Sequence, residues 1–190
     1  ALTGLDLGAT THTNAGSYAA DAWTFTDVTG NYNDASGTLS NTISKADPAI
    51  VVTPYSVTYD GNPHTATGTA TGVNGEALTG LDLGATTHTN AGSYAADAWT
   101  FTDVTGNYND ASGSVDNRIG KADASIVVTP YSVTYDGNPH AATGTATGFN
   151  GEALAGLDLG ATTHTNAGSY AADAWTFTDV TGNYNDASGT

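Results

Sequence analysis

The segment Thr13–Gly37, "TNAGSYAADAWTFTDVTGNYNDASG", is repeated without a change at Thr89–Gly113 and at Thr165–Gly189. The offset is 76 residues in both cases, and a "GLDLGATTH" run precedes each copy at the same distance. A period of this length is typical of an array of small domains rather than of one large fold. We therefore predict tandem repeats of 76 residues.

Short runs of β-branched and aromatic residues alternate along each repeat with Gly, Asn, Asp and Pro, and helical periodicity is absent. In the middle repeat these runs predict strands at 50–53, 55–59, 64–71, 81–88, 93–101 and 114–119. About seven short strands in a repeat of this size are typical of an immunoglobulin-like β-sandwich. The predicted fold class is therefore all-β, as tandem immunoglobulin-like β-sandwich repeats.

The repeat is predicted to run from about Ala46 to Lys121, because a "KAD" motif, which opens at Lys45 and again at Lys121, precedes the first apolar strand. By that division, residues 1–45 are the C-terminal part of a truncated repeat. Residues 46–121 form a complete repeat, and residues 122–190 form a repeat that lacks its last strand. A half sandwich leaves its apolar side chains without a facing sheet.

The aromatic strand of the repeat has a spacing that conflicts with simple alternation. Tyr94 lies five residues before Trp99 and seven before Phe101, so strict alternation puts Tyr94 on the opposite face from both. We predict a β-bulge in "YAADAW", which would place all three rings in the core; the alternative is that Tyr94 faces outward. At the head of this strand, Tyr94 is also expected to hydrogen-bond the chain that enters it, as in a tyrosine corner.

The segment "HTATGTATG" places four threonines, Thr65, Thr67, Thr69 and Thr71, alternately with small residues. This pattern predicts an outward threonine face above a thin Ala/Gly face that lets another sheet approach closely. A second interpretation is a lateral contact at which strand edges of arrays or subunits pair.

Charge is one-sided, with 19 acidic residues against three basic ones and a net charge of −16. Nucleic acid and anionic membranes both require a cationic face, so neither is an expected partner. No stretch has the roughly 18–20 apolar residues of a membrane span, so membrane insertion is not expected either. An acidic surface of this kind suits a soluble protein or one that collects cations.

Calcium is the candidate ligand, because it binds carboxylate, carbonyl and amide oxygens. Asp103, Asn107, Asn109 and Asp110 offer this chemistry on one loop, and the alternative is that they stabilise turns through Asx hydrogen bonds. No other cofactor is predicted. No catalytic motif is present, and each complete repeat has a single Glu, which excludes a Glu–Glu glycosidase pair within a repeat. We therefore expect no enzymatic activity.

The motifs "VTYDGNPHTATGTATGVNGE", "THTNAGSYAADAWTFTDVTGNYNDASG" and the joining "KAD" resemble the mostly-β, glycine-rich (MBG) repeats of large bacterial surface proteins. The resemblance covers the whole chain. It implies an extracellular or cell-surface immunoglobulin-like repeat of a long adhesin-like protein, and it carries over no catalytic residue.

The function predicted from these features is a structural one, a semi-rigid stalk or spacer in adhesion or filament assembly. Its partners would be neighbouring repeats of the same chain and, through strand edges, other copies in an oligomer or filament. The alternative is a multivalent adhesin module that displays a glycan or protein site on every repeat.

Overall fold

The computed structural model describes residues 2–190. Strands account for 44% of the residues and helix for 5%, so the predicted all-β class is confirmed. Three short 3-10 helices lie at Gly8–Thr10, Gly84–Thr86 and Gly160–Thr162. Within the described part of the chain, no helix is long and apolar enough to cross a membrane. The strands are β1 (Leu5–Asp6), β2 (Gly16–Phe25), β3 (Ala35–Ile43), β4 (Ala49–Thr53), β5 (Ser56–Thr58), β6 (Thr67–Thr71), β7 (Leu81–Asp82), β8 (Gly92–Phe101), β9 (Ala111–Gly120), β10 (Ser125–Thr129), β11 (Thr143–Thr147), β12 (Leu157–Asp158), β13 (Trp175–Phe177) and β14 (Ala187–Gly189).

These strands form five sheets. Two are three-stranded, in the orders β1-β2-β3 and β12-β13-β14, and two are pairs, β4-β6 and β10-β11. The fifth sheet has four strands in the order β5-β9-β8-β7. In that sheet β5 and β9 are parallel, with Val57 opposite Ile119, whereas β7 and β8 are antiparallel.

The chain divides into two compact units, and each has its own hydrophobic cluster. The first cluster is built on Ala70, Phe101 and Tyr108. The second uses the residues 76 positions later, Ala146, Phe177 and Tyr184, together with Ala122. Most boundaries between the two units fall inside strands, and none coincides with the repeat boundaries predicted after residues 45 and 121. The predicted division into repeats stays a prediction. The first unit comprises Ala1–Val52, Gly68–Asp82 and Trp99–Gly113, and the second comprises Thr53–Thr67, Leu83–Ala98 and Ser114–Thr190.

The predicted β-bulge is present. Between Tyr18 and Asp21 the register of β2 against β3 shifts, so that β2 carries one extra residue. In the middle repeat Ala96 has a φ of 58°, and its N–H donates to Asp116 Oδ1 at 2.8 Å. A left-handed residue is found in the G1 type of β-bulge, where it is normally a glycine.

The aromatic residues beside the bulge differ in burial. Phe101 is 1% exposed and belongs to the core, as predicted, whereas Trp99 is half-buried. Tyr94 is also half-buried, and its ring stacks on His88 at 3.5 Å between ring centroids. The Tyr94 hydroxyl donates to the carbonyl of Asn90 at 2.5 Å, which confirms the predicted hydrogen bond to the entering chain.

The prediction of one continuous strand over 81–88 was wrong. Only Leu81–Asp82 pair as β7, and Gly84–Thr86 form a 3-10 helix. The Thr86 N–H and hydroxyl both bond the Leu83 carbonyl, which closes this turn. Each of the six ranges predicted as strands in the middle repeat corresponds to one strand, so the repeat has six strands rather than about seven.

The threonine strand has the predicted faces. Ala66 and Ala70 are each 4% exposed, whereas Thr67 and Thr69 face solvent. A Cβ placed on Gly68 would lie 2.8 Å from the Val51 carbonyl oxygen, so the missing side chain permits the close approach.

The sheet β1-β2-β3 leaves apolar side chains uncovered. Leu2, Leu5 and Leu7 are 54%, 58% and 47% exposed. Their counterparts Leu78, Leu81 and Leu83 are only part-exposed, and Leu78 and Leu81 pack against the first hydrophobic cluster.

Candidate functional site

The residues proposed to bind calcium lie on the loop between β8 and β9. The carboxylate of Asp103 organises this loop: one oxygen accepts from the N–H and the hydroxyl of Thr105, at 3.0 and 2.8 Å. The other oxygen accepts from the Tyr108 N–H at 3.0 Å. Asp110 in turn accepts from the N–H of Asp103 at 2.8 Å. These are Asx-type turn bonds, the alternative considered for this loop.

These bonds determine the acidity of Asp103. Burial acts to raise its pKa, but the N–H groups of Tyr108 and Thr105 outweigh burial and lower the pKa to about 2. The carboxylate is therefore charged over the whole neutral range. Within the described residues, no group of three or more His, Cys, Asp or Glu side chains is arranged to hold a metal ion. A calcium site here stays a prediction.

The two asparagines of the loop contact other parts of the chain. Asn107 Oδ1 accepts from the Ala15 N–H at 2.7 Å, and its Nδ2 donates to Asn14 Oδ1 at 3.3 Å. Asn109 Nδ2 donates to Asp47 Oδ1 at 2.7 Å. The "TNAG" turn before β2 and the "KAD" linker are thus both held by one loop.

Backbone bonds fix the linker to the same loop. The Ala46 N–H donates to the Asn107 carbonyl at 3.0 Å, and the Asn109 N–H donates to the Ala46 carbonyl at 2.8 Å. Ala46 therefore forms a parallel bridge with Tyr108. We call this set of contacts, made by Asn107 and Asn109 with the preceding turn and linker, the repeat joint.

A second repeat joint lies in the second unit with matching geometry. Asn183 accepts from Ala91 at 2.8 Å, and Asn185 donates to Asp123 at 2.7 Å. The Ala122 N–H donates to the Asn183 carbonyl at 3.0 Å. Asn183 is only 8% exposed. Corresponding hydrogen bonds in the two joints agree to within 0.1 Å, so the arrangement is a property of the repeat.

Tyr108 connects the joint to the core. Its hydroxyl accepts from the Val73 N–H at 3.1 Å and donates to the carboxylate of Glu76. The bond to Glu76 raises the pKa of Tyr108. Tyr184 and Glu152 make the same pair in the second unit. Glu76 is the only Glu of the middle repeat. Its single occurrence is the feature of the sequence that could have drawn attention to it.

A buried polar network that was not predicted from the sequence centres on Asn117 and Asp97 in the second unit. Asn117 is 2% exposed; its Nδ2 donates to Asp97 Oδ2 at 2.7 Å, and its Oδ1 accepts from the Tyr55 N–H at 3.1 Å. His88 Nε2 lies 2.9 Å from the same Asp97 oxygen. All five histidines of the chain are half-buried, and the Nε2 of each lies 2.8–3.0 Å from an aspartate oxygen. Asn117 of the inner strand β9 thus connects β8, through Asp97, with the residue that precedes β5, Tyr55.

No protein-family model, curated protein or solved structure matches this chain. The resemblance to MBG repeats therefore rests on the sequence motifs alone.

Proposed function

We propose that this chain is a non-catalytic structural repeat of an extracellular bacterial surface protein or fibre, acting as a semi-rigid stalk or spacer in adhesion or filament assembly. The recurring repeat joint is the observation that carries the proposal. A free three-residue linker would let neighbouring modules turn independently. The joint adds side-chain and backbone hydrogen bonds, each worth about 1 kcal/mol net, and so restricts that turning.

Each 76-residue repeat would be an immunoglobulin-like β-sandwich. The two hydrophobic clusters support this, since both draw Ala, Phe and Tyr from positions 76 residues apart. The first brings Ile50 of β4 and Ala70 of β6 against Phe101 of β8, which is how two sheets share one core.

The surface chemistry and the motifs support the proposed location. A net charge of −16 keeps identical modules soluble and mutually repelling, which an extended array requires. The "YDGNPH" and "GNYNDASG" motifs resemble MBG repeats, which belong to long bacterial surface proteins.

Small-angle scattering on the full chain tests the stalk directly. Replacing both joint asparagines, Asn107→Ala with Asn183→Ala, should broaden the distance distribution because the modules gain freedom. Asn31→Ala is the matched control, since Asn31 occupies the same place in the first copy of the loop and its side chain bonds Thr29 of that loop. Scattering from the double variant that coincides with the wild type would contradict a joint that sets module orientation.

A further inference from the structure

The strand β10 is hydrogen-bonded to another strand along only one of its two edges. Its partner is β11, in which Ala146 lies directly opposite Ile126. The Ala146 carbonyl accepts from the Leu154 N–H at 2.8 Å, so the backbone polar groups of Ala146 face away from β10. Directly opposite residues of an antiparallel pair either bond each other or both face away, and the polar groups of Ile126 therefore face away from β11.

The outer edge of β10 carries unpaired backbone groups. Because these groups alternate in direction along a strand, the N–H and C=O of both Ile126 and Val128 lie on the outer edge. Within residues 2–190, no other segment donates a backbone hydrogen bond to them or accepts one from them. The counterpart of β10 in the middle repeat, β4, also pairs with a single strand, β6, so the open edge is a property of the repeat. An open edge is a template for pairing with a further strand.

The sheet formed by β10 and β11 contains no charged side chain. On its outward face Val127 is 57% exposed, and Thr143 and Thr145 are also exposed. The nearest carboxylate along the chain, that of Asp123, accepts a hydrogen bond from Asn185 Nδ2 at 2.7 Å. Copies of a chain with a net charge of −16 repel each other, and an uncharged sheet lets two of them approach without bringing carboxylates together.

One sequence difference between the repeats concerns this edge. Pro48 stands immediately before β4, and Ala124 stands at the same place before β10. Counting back two residues from Ile126 puts this position on the outer edge. Proline has no N–H to offer there and is one of the residues that protect strand edges from pairing. The edge of β10 lacks that protection.

We propose that β10 pairs antiparallel with β10 of a second copy of this chain. A two-fold axis through Val127 relates the two copies, the usual symmetry of a dimer built from identical surfaces. Ile126 of one copy then lies opposite Val128 of the other and exchanges two backbone hydrogen bonds with it, and the symmetric pair exchanges two more. This register satisfies every outward backbone group of Ile126 and Val128 and joins two small sheets into one of four strands.

A second copy fits this edge because the strand is complementary to itself. In the same register Val127 lies against Val127 of the second copy, and Ser125 lies against Thr129, so apolar meets apolar and hydroxyl meets hydroxyl. The pairing involves β10 and not the repeat joint. It therefore goes beyond the stalk function, and a failure of either leaves the other standing.

Cysteine variants of a chain that has no cysteine of its own test the register. Val127→Cys should give a disulfide-linked dimer under oxidising conditions, because opposite residues at a non-hydrogen-bonded position have Cα atoms about 4.5 Å apart. Thr145→Cys is the matched control: Thr145 is exposed directly opposite Val127, but both copies of β10 would separate it from its equivalent. Equal cross-linking of the two variants, or none of Val127→Cys, overturns the proposal.

A mixture of two further variants distinguishes this register from any other. Ser125→Cys and Thr129→Cys should cross-link to each other when mixed, and neither should cross-link efficiently to itself, because its equivalent lies four residues along the facing strand. Self-linked dimers of either variant in preference to the mixed dimer overturn the two-fold pairing about Val127.

Sedimentation velocity gives a measurement that needs no cysteine. The wild-type chain should dimerise reversibly as its concentration rises, and more readily at high salt, which screens the repulsion. Val127→Lys should abolish the dimer because two like charges would lie opposite each other, whereas Thr145→Lys, with the same charge one strand away, should retain it. Ala124→Pro should weaken it by restoring the protection seen before β4. A wild type that stays monomeric to millimolar concentration, which would leave the edge to a strand of another protein, overturns the proposal, as does equal association of the two lysine variants.

Discussion

The indole ring of Trp99 lies against Gly113: a Cβ built on that glycine would be 2.5 Å from Trp99 Cζ2. The same relationship joins Trp23 to Gly37 and Trp175 to Gly189, and in both of these the two residues are direct partners on neighbouring antiparallel strands. A ring that covers a cross-strand glycine shields backbone that has no side chain of its own. We therefore expect the half-buried Trp99 to contribute to the free energy of unfolding of the repeat.

The substitution Gly113→Ala should therefore destabilise the middle repeat by about 1–3 kcal/mol, because the indole has to move off its strand. Gly120→Ala is the control on the same strand, since its Cβ would meet only the Val57 carbonyl oxygen at 3.6 Å. Urea denaturation followed by tryptophan fluorescence measures both free energies of unfolding. Equal stability of the two variants would mean that the contact is not tight.

Ala96→Gly should stabilise the chain by about 0.5–1 kcal/mol, because an L-residue at a φ of 58° is strained and glycine is not. Ala98→Gly in the same strand should instead lower stability by about 0.5–1 kcal/mol, because glycine there only adds freedom to the unfolded chain. Thermal unfolding of the two variants should therefore shift in opposite directions. A loss of stability in Ala96→Gly would show that the bulge does not strain the alanine.

Tyr108→Phe should lower the melting temperature by several degrees, because it leaves the Val73 N–H and the Glu76 carboxylate without their partner. Tyr32→Phe is a control at the same position of the first copy. Tyr32 is 59% exposed, against 6% for Tyr108, so its loss of a hydroxyl should change little. Similar shifts for the two variants would assign the effect to the loop sequence rather than to the contact with Glu76.

Acid should destabilise the fold in a defined window. The pKa of Asp103 is lowered to about 2, as are those of Asp27, Asp60 and Asp136. A depressed folded-state pKa contributes stability that is complete above the unfolded value, near 4, and is lost as the pH falls through the folded value. The melting temperature should thus stay level from neutral pH to about pH 5 and fall steeply between about pH 4 and 2.

The variant Asp103→Asn measures how much one loop contributes to this loss of stability at acid pH. The amide keeps one acceptor but carries no charge, so the variant should be less stable than the wild type at neutral pH and should approach it near pH 2. A constant difference at every pH would mean that the charge of Asp103 does not contribute.

Several features of the fold follow from local pattern. Alternation predicted the outward threonines of β6, and the odd spacing of Tyr94 and Phe101 predicted a bulge. The Tyr94 bond to Asn90 spans only four residues. Interactions of this range depend on neighbouring residues in the chain, which the sequence displays directly.

Contacts of long range could not be predicted in the same way. Asn107 meets Ala15 across 92 positions, and Asn117 meets Tyr55 across 62. Both asparagines have polar neighbours in the sequence, and a side chain with such neighbours can equally well be fully exposed. Their burial depends on which strands lie beside them, and that is decided by the parallel pairing of β5 with β9 and by the docking of the linker.

The three identical 25-residue copies show what the local sequence determines and what the tertiary structure determines. In all three, the sequence by itself determined a β-rich segment without helix, because this depends on spacing and turn chemistry within the segment. The long aromatic strand with its bulge forms in the first two copies, whereas in the third the strand covers only Trp175–Phe177. Tertiary structure alone decided the environment: the equivalent tyrosines Tyr32, Tyr108 and Tyr184 are 59%, 6% and 1% exposed. Burial is a property of the surfaces that meet, so the same residues acquire different roles wherever the facing strands and the neighbouring repeat differ.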